Sequence, residues 1–192
     1  MQTITVTGHR PNRLNNAYDL LHPVNIKMGR VMREFILNQA GYNKETNAFT
    51  GETPVRLVSG MALGADTVWA MVALKLKREF PGVFELECAI PCANHSSRWK
   101  SEDQKRYQMI LDNADVVTHV SKQPYKGWLM QKRNEYMVDI SPTVFAIWNG
   151  VENGGTYNCV QYAQKKERTI YRFFPLEDET WELYQEGRIT SS

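Results

Sequence analysis

Hydrophobic and polar positions along this chain switch between two periods, and the switches lay out the elements. Residues 2–7, QTITVT, alternate with β-branched side chains and predict a strand. Val24, Met28, Val31, Met32, Phe35 and Ile36 recur at helical spacing, with Pro23 as a starter and Gly41 as a stop. Residues 42–54 are polar, with glycine and proline, and predict a surface excursion. The apolar run 55–58 predicts a buried strand. A helix pattern, Val68 to Leu76, follows it; it is apolar nearly all round and stops at Lys77 and Arg78. Trp69 and Met71 are therefore assigned to the core.

Residues 84–90 predict a second buried strand, ended by Pro91, and PCANHSSRW at 91–99 a polar loop. Ser96 or Ser97 is placed to cap a helix from Arg98 to about Asn113, and ADVVTHV reads as the next strand. A helix is expected within 124–141, with Trp128, Leu129, Met137 and Val138 as its core positions. PTVFAIW at 142–148 is a buried strand, a helix follows to Lys166, and 168–173 is the last strand. Trp181, Leu183 and Tyr184 suggest a tail docked as a short helix or packed outside the core. Repeated strand, turn and helix predict one three-layer α/β domain over residues 1–173, with a mostly parallel sheet covered on both faces. Residues 174–192 form the tail, on or near that domain.

The candidate chemistry lies in the turns. Gly8, His9 and Arg10 follow the first strand; Ser59, Gly60, Gly64 and Asp66 lie between the second and its helix; Gly154, Gly155 and Thr156 open a later helix. Glycines admit a ligand close to the backbone, and the free N–H groups of a first helical turn attract anions. In a parallel sheet, right-handed crossovers gather these turns at one edge. The expected ligand is a nucleotide or nucleotide-derived small molecule. The glycine turns would hold its phosphate, Thr156 would donate its hydroxyl, and Arg10 would add charge. Asp66 either accepts from a ribose hydroxyl or caps its own helix.

Composition narrows the classes. The 192 residues are 42% hydrophobic, enough for one sizeable core. Cys88, Cys92 and Cys159 are too few for a disulfide framework and suit a reducing cytosol, so a cytoplasmic protein is expected. Cys88, Cys92 and His95 offer only three ligands, so neither a metal nor a cofactor is expected. No apolar run reaches membrane-spanning length, and the chain enters strand pattern at once, leaving no room for a signal peptide. The net charge of +2 permits a nucleic-acid partner without arguing for one.

The residues also carry a resemblance. SGMALGADTVWAMVAL resembles the S-G-x-A-x-G-x-D-x-x-A signature of the DNA-processing protein A (Smf) family, and the stretch from Glu152 to Arg168 resembles that family's second glycine turn. VTGHRP and RNEYMVDIS are similar to the YpsA-like branch of the same SLOG superfamily, which also contains the Lonely Guy proteins. The resemblance covers roughly residues 2–173. It implies a Rossmann-like fold, a nucleotide or nucleotide-derived ligand, and a place among proteins of which some act in bacterial and phage conflict. Lonely Guy enzymes use a glutamate three positions after the threonine for N-glycosidic hydrolysis; here that position is Cys159. If hydrolysis occurs, Glu135 and Asp66 are the carboxylate candidates and His95 the proton donor near neutral pH. Arg133 joins the ligand-binding set. With Lys126, Trp128 and Lys132 it also makes the case for the alternative, a single-stranded nucleic-acid binding module. Nucleic acid ranks below a small nucleotide as the expected partner, and homo-oligomerisation is left open.

Overall fold

The β-branched runs of this chain fold side by side and its helical stretches cover both faces of the sheet that results. The structure is a computed structural model that describes residues 1–185 and the backbone of 188–190. In chain order the elements are β1 (Gln2–Gly8), a 3-10 turn (Pro11–Arg13), α1 (Pro23–Gln39), β2 (Tyr42–Asn43), β3 (Ala48–Phe49), β4 (Val55–Ser59), α2 (Ala65–Glu79) and β5 (Phe84–Ile90). Then follow α3 (Ser101–Asn113), β6 (Val116–His119), α4 (Gly127–Asp139), β7 (Thr143–Ile147), α5 (Gly154–Lys165), β8 (Thr169–Phe173), β9 (Glu182–Gln185) and β10 (Arg188–Thr190).

The main sheet runs β10-β9-β8-β7-β1-β4-β5-β6. The six strands from β8 to β6 are mutually parallel, while β9 and β10 are antiparallel additions. This is a three-layer α/β architecture with a mostly parallel sheet, of the Rossmann-like kind. Alternation along β7 divides the two cores. Phe145 stacks on Phe35 of α1, ring centroids 4.2 Å apart, and meets Trp69 of α2 at 5.9 Å. Val144 and Ala146 point the other way, into a cluster with Cys159, Val160 and Ala163 of α5. Helix α2 is buried because it lies against β1, β4 and β5 while α1 and α3 flank it. No helix among the described residues is long and apolar enough to cross a membrane.

Four local expectations change. The tail forms a strand where a short helix was considered: β8 would otherwise leave an open edge, and β9 pairs along it, with Trp181 set edge-on to Phe35 at 5.5 Å. The excursion 42–54 contains the β2–β3 hairpin, and its Phe49 packs against Phe80 and Phe84. Neither Ser96 nor Ser97 caps α3, which begins at Ser101; the Gln104 amide instead donates to the carbonyls of both serines. Trp128 is 55% exposed and outside the core. Leu129, Arg133 and Met137, four apart, are the buried line of α4, so a residue one step earlier falls outside it. Lys132, one turn on, lies 5.9 Å over the Trp128 ring.

These positions predict very different costs for two aromatic deletions. Phe35→Ala should cost about 3–5 kcal/mol in a denaturant titration, because a stacked, fully buried ring is removed. Trp128→Ala should stay within about 0.5 kcal/mol of the parent.

Candidate functional site

Strands β1 and β7 are neighbours, yet the chain leaves them in opposite directions. From β1 it passes through α1 to β4 on one side; from β7 it passes through α5 to β8 on the other. Their carboxyl ends therefore part and leave a crevice at the topological switch point. It encloses about 250 Å³.

One wall is the turn after β1, carrying Gly8, His9, Arg10 and, on the 3-10 turn, Arg13. The facing wall is the start of α5, with Gly154, Gly155 and Thr156. No side chain caps that helix: Asn153, at the capping position, uses its Oδ1 to accept from Arg13 Nη2 at 2.8 Å. The first-turn N–H groups thus face the crevice with no acidic residue among them. Arg10 is exposed and forms no ion pair with any carboxylate among the described residues.

His9 ties the two walls together. Its Nε2 accepts from the Asn149 N–H at 3.1 Å, which leaves the ring proton on Nδ1, 3.5 Å from Thr156 Oγ1. Burial lowers its pKa, so the ring is neutral at physiological pH. The floor comes from α2 and α4. Asp66 accepts at Oδ2 from the Ala62 N–H at 3.2 Å. Burial pushes its carboxyl up, against the opposing pull of Arg133, the Ala62 N–H and Arg10. Arg133 is itself buried: Nη1 donates to the Gly60 carbonyl and Nε to Asn134 Oδ1 at 3.2 Å.

The candidate residues thus divide. Gly8, His9, Arg10, Asp66, Arg133, Gly154, Gly155 and Thr156 all line the crevice. Ser59, Gly60 and Gly64 stand behind it. The Ser59 hydroxyl donates to the Asp66 carbonyl at 2.8 Å and accepts from the Met61 N–H at 3.1 Å, so it braces the β4–α2 turn. Glu135 is not brought in: α4 turns Met130, Arg133, Asn134 and Met137 to the crevice, and Glu135 instead influences Tyr162 of α5. Cys159 is fully buried and burial raises its thiol to about 11, so it cannot stand in for a carboxylate. His95 lies beside the crevice, with its Nε2–H donating to the Met61 carbonyl at 2.9 Å. Burial, aided by the Arg133 and Arg10 charges, lowers it to about 4, which removes the case for a proton donor titrating near neutrality. Arg13, Asn12, Asn134 and Met130 also line the crevice and were not anticipated. For Arg13, the signal was a second arginine three residues after Arg10, in R-P-N-R.

With this geometry in place, residues 4–179 match the model of the YspA SLOG family (YpsA). The chain belongs to that family. Among its relatives is the uncharacterised SPbeta prophage-derived protein YoqJ of Bacillus subtilis (strain 168), 32% identical over 127 residues, which span 60% of this chain and 73% of YoqJ. A UPF0398 protein of Halalkalibacterium halodurans is 30% identical over 113 residues, 58% of this chain and 59% of that protein. Two solved structures share the fold. DNA processing protein A of Helicobacter pylori, described for its single-stranded DNA binding mode, superposes with a TM-score of 0.54 at 16% identity, over 89% of this chain and 64% of that one. The Streptococcus pneumoniae protein superposes with a TM-score of 0.55 at 15% identity, over 89% of this chain and 50% of that one. The chain thus spans between half and two thirds of those proteins, and at such identities the likeness is one of fold. The ranking of nucleic acid below a small nucleotide does not stand, because one of the solved proteins that share this fold is described by its single-stranded DNA binding mode. Membership in the SLOG superfamily points to a nucleotide-like ligand or a nucleic acid at the sheet–helix turns.

The state of His95 makes a prediction about pH. Its folded pKa of about 4 lies below its unfolded value of 6.5. The stability it contributes is therefore complete above pH 6.5 and is lost as pH falls toward 4. His95→Gln keeps a donor for the Met61 carbonyl and should remove on the order of 2–3 kcal/mol from that decline, read by denaturant titrations across the window. An unchanged pH profile would mean that the ring protonates in the folded protein.

Proposed function

We propose that the crevice binds single-stranded nucleic acid, seating a backbone phosphate at the start of α5 between Arg10 and Arg13. One observation carries this reading: an uncapped helix start with no acidic residue, flanked by two arginines that pair with no carboxylate among the described residues. Helix N–H groups and guanidinium forks are both acceptor-seeking, and phosphate offers several acceptor oxygens at once. The exposed Trp128, with Lys132 over its ring, adds an aromatic and a cation on the neighbouring helix, the pairing that single strands use. The likeness of fold to DNA processing protein A of Helicobacter pylori supports the same reading.

A second reading, a nucleotide-derived small molecule, rests on Asp66. Its carboxyl is buried and lines the crevice, where it would repel phosphate but accept from a ribose hydroxyl. Hydrolysis of an N-glycosidic bond would have to work with Asp66 as its carboxylate, because Glu135 lies elsewhere.

Fluorescence anisotropy with a labelled oligothymidylate separates the readings. The nucleic-acid reading expects affinity that falls steeply with added salt. The double variant Arg10→Ala, Arg13→Ala should bind at least about tenfold more weakly, with a shallower salt dependence, for all base compositions alike. Flat curves at micromolar protein, together with saturable binding of a ribonucleotide in calorimetry, would transfer the site to the small-molecule reading.

A further inference from the structure

Beside the crevice lies a smaller slot of about 100 Å³, between the loop 91–99 and the residues that lead into α4. Its walls carry His95, Trp99, Tyr125 and Met130. It adjoins the crevice, and Arg10, Ala62 and Met130 line both. We propose that this slot is a second nucleobase subsite, so that the site takes two consecutive nucleotides, with Arg10 on the phosphate between them and the neighbouring base stacked against Tyr125 and Trp99. The inference rests on the nucleic-acid reading of the crevice and extends it.

The slot has the build of a preformed platform. The Ala93 N–H donates to the Gln123 carbonyl at 2.8 Å, and the Tyr125 N–H to Asn94 Oδ1 at 2.8 Å, so the two loops that form it are pinned to each other. Trp99 is held edge-on by His95 at 5.1 Å and by Tyr107 at 5.3 Å. A core gap would be closed by its aromatics, yet the Tyr125 ring is 60% exposed beside an open recess. Aromatic faces stack any base, and Trp99, packed edge-on by two neighbours, is already in place to do so with little loss of side-chain entropy.

His95 adds an edge contact. Its Nε2 proton is committed to the Met61 carbonyl, so Nδ1 carries a lone pair and has no partner among the described residues. An N–H on a base edge, such as thymine N3–H, fits that acceptor. Arg10 is exposed, forms no ion pair among the described residues and is shared by both cavities, which suits the phosphate that must sit between two bases.

Equilibrium titrations with three probes test this: thymidine 5′-monophosphate, the 5′-phosphorylated thymidine dinucleotide, and the same dinucleotide with its second base absent. The parent protein should bind the full dinucleotide about tenfold more tightly than the abasic one. Tyr125→Ala should lose that preference while binding the monophosphate and the abasic dinucleotide as the parent does. Tyr125→Phe, which keeps the stacking face, should retain it. Binding of all three probes by the parent, with no preference for the second base or a preference that Tyr125→Ala leaves intact, overturns the slot and spares the crevice. If none of the three binds to folded protein, the crevice reading fails and the slot falls with it.

Discussion

The end of β1 and the entry to α2 pack as closely as they do only because Gly8 and Gly64 carry no side chains where the two meet. A Cβ at Gly8 would stand 2.5 Å from Ala65 Cβ, and one at Gly64 would stand 2.6 Å from the His9 carbonyl. Gly64 also has φ +89°, which L side chains resist. The gain is a backbone hydrogen bond, Ala65 N–H to the His9 carbonyl at 3.2 Å, linking two turns far apart in the chain. His9 is held in place by this contact and so can accept from Asn149 beyond β7. Three strand ends become one rigid edge, and the buried helix α2 carries that rigidity into the core through Trp69.

The floor of the crevice has a different logic. Burying Asp66 and Arg133 together costs solvation that their attraction only partly returns, and such a pair is weak evidence of stabilisation. What it supplies is geometry. Asp66 is fixed by the Ala62 N–H, and Arg133 by the Gly60 carbonyl and by Asn134, so α4 is tied to the β4–α2 turn. A carboxyl whose pKa burial has raised, within the field of a fixed guanidinium, gives the crevice a polar floor. A ligand that seats above it meets a preorganised surface.

Much of this was legible from residue order. β5 falls on the predicted boundaries, and β1, β4, β7 and β8 fall within about a residue of theirs, because short apolar or β-branched runs bounded by turn residues are read directly from the sequence. The glycine turns were legible as turns, but not their division of labour. Gly8 and Gly64 are spaced for packing, while Gly155 has open space around it at the helix start. What stayed hidden depended on phase or on distance along the chain. Trp128 counts as apolar in composition, and only the rotation of α4 turns it outward. The same rotation sends Glu135 away from the crevice and brings Asn134 toward it. Arg13 acquires its role through Asn153, 140 residues away, which no local pattern encodes. Strand β9 is four residues long, too short for its alternation to outweigh an ambiguous tail.

The chain's small net charge was a reason to rank a polyanion low, but net charge is a poor guide to what a single recess attracts. Net charge is a sum over the whole surface, whereas a ligand responds to the field in the cavity it enters. Much of the acidic complement is spent elsewhere: Glu79 on Arg33, Glu85 and Glu87 on Arg56, Asp115 on Lys77, and Asp178 and Glu182 on Arg172. These clusters hold six carboxylates on four cations away from the crevice, which carries three arginines, Arg10, Arg13 and Arg133, against the single carboxyl of Asp66. The open end of α5 adds a further partial positive charge in the same place. Low-dielectric walls then concentrate what remains, because Met130 and Met137 line the crevice and screen poorly. A nearly neutral chain can thus present a strongly positive recess, provided its carboxylates are engaged by cations outside it.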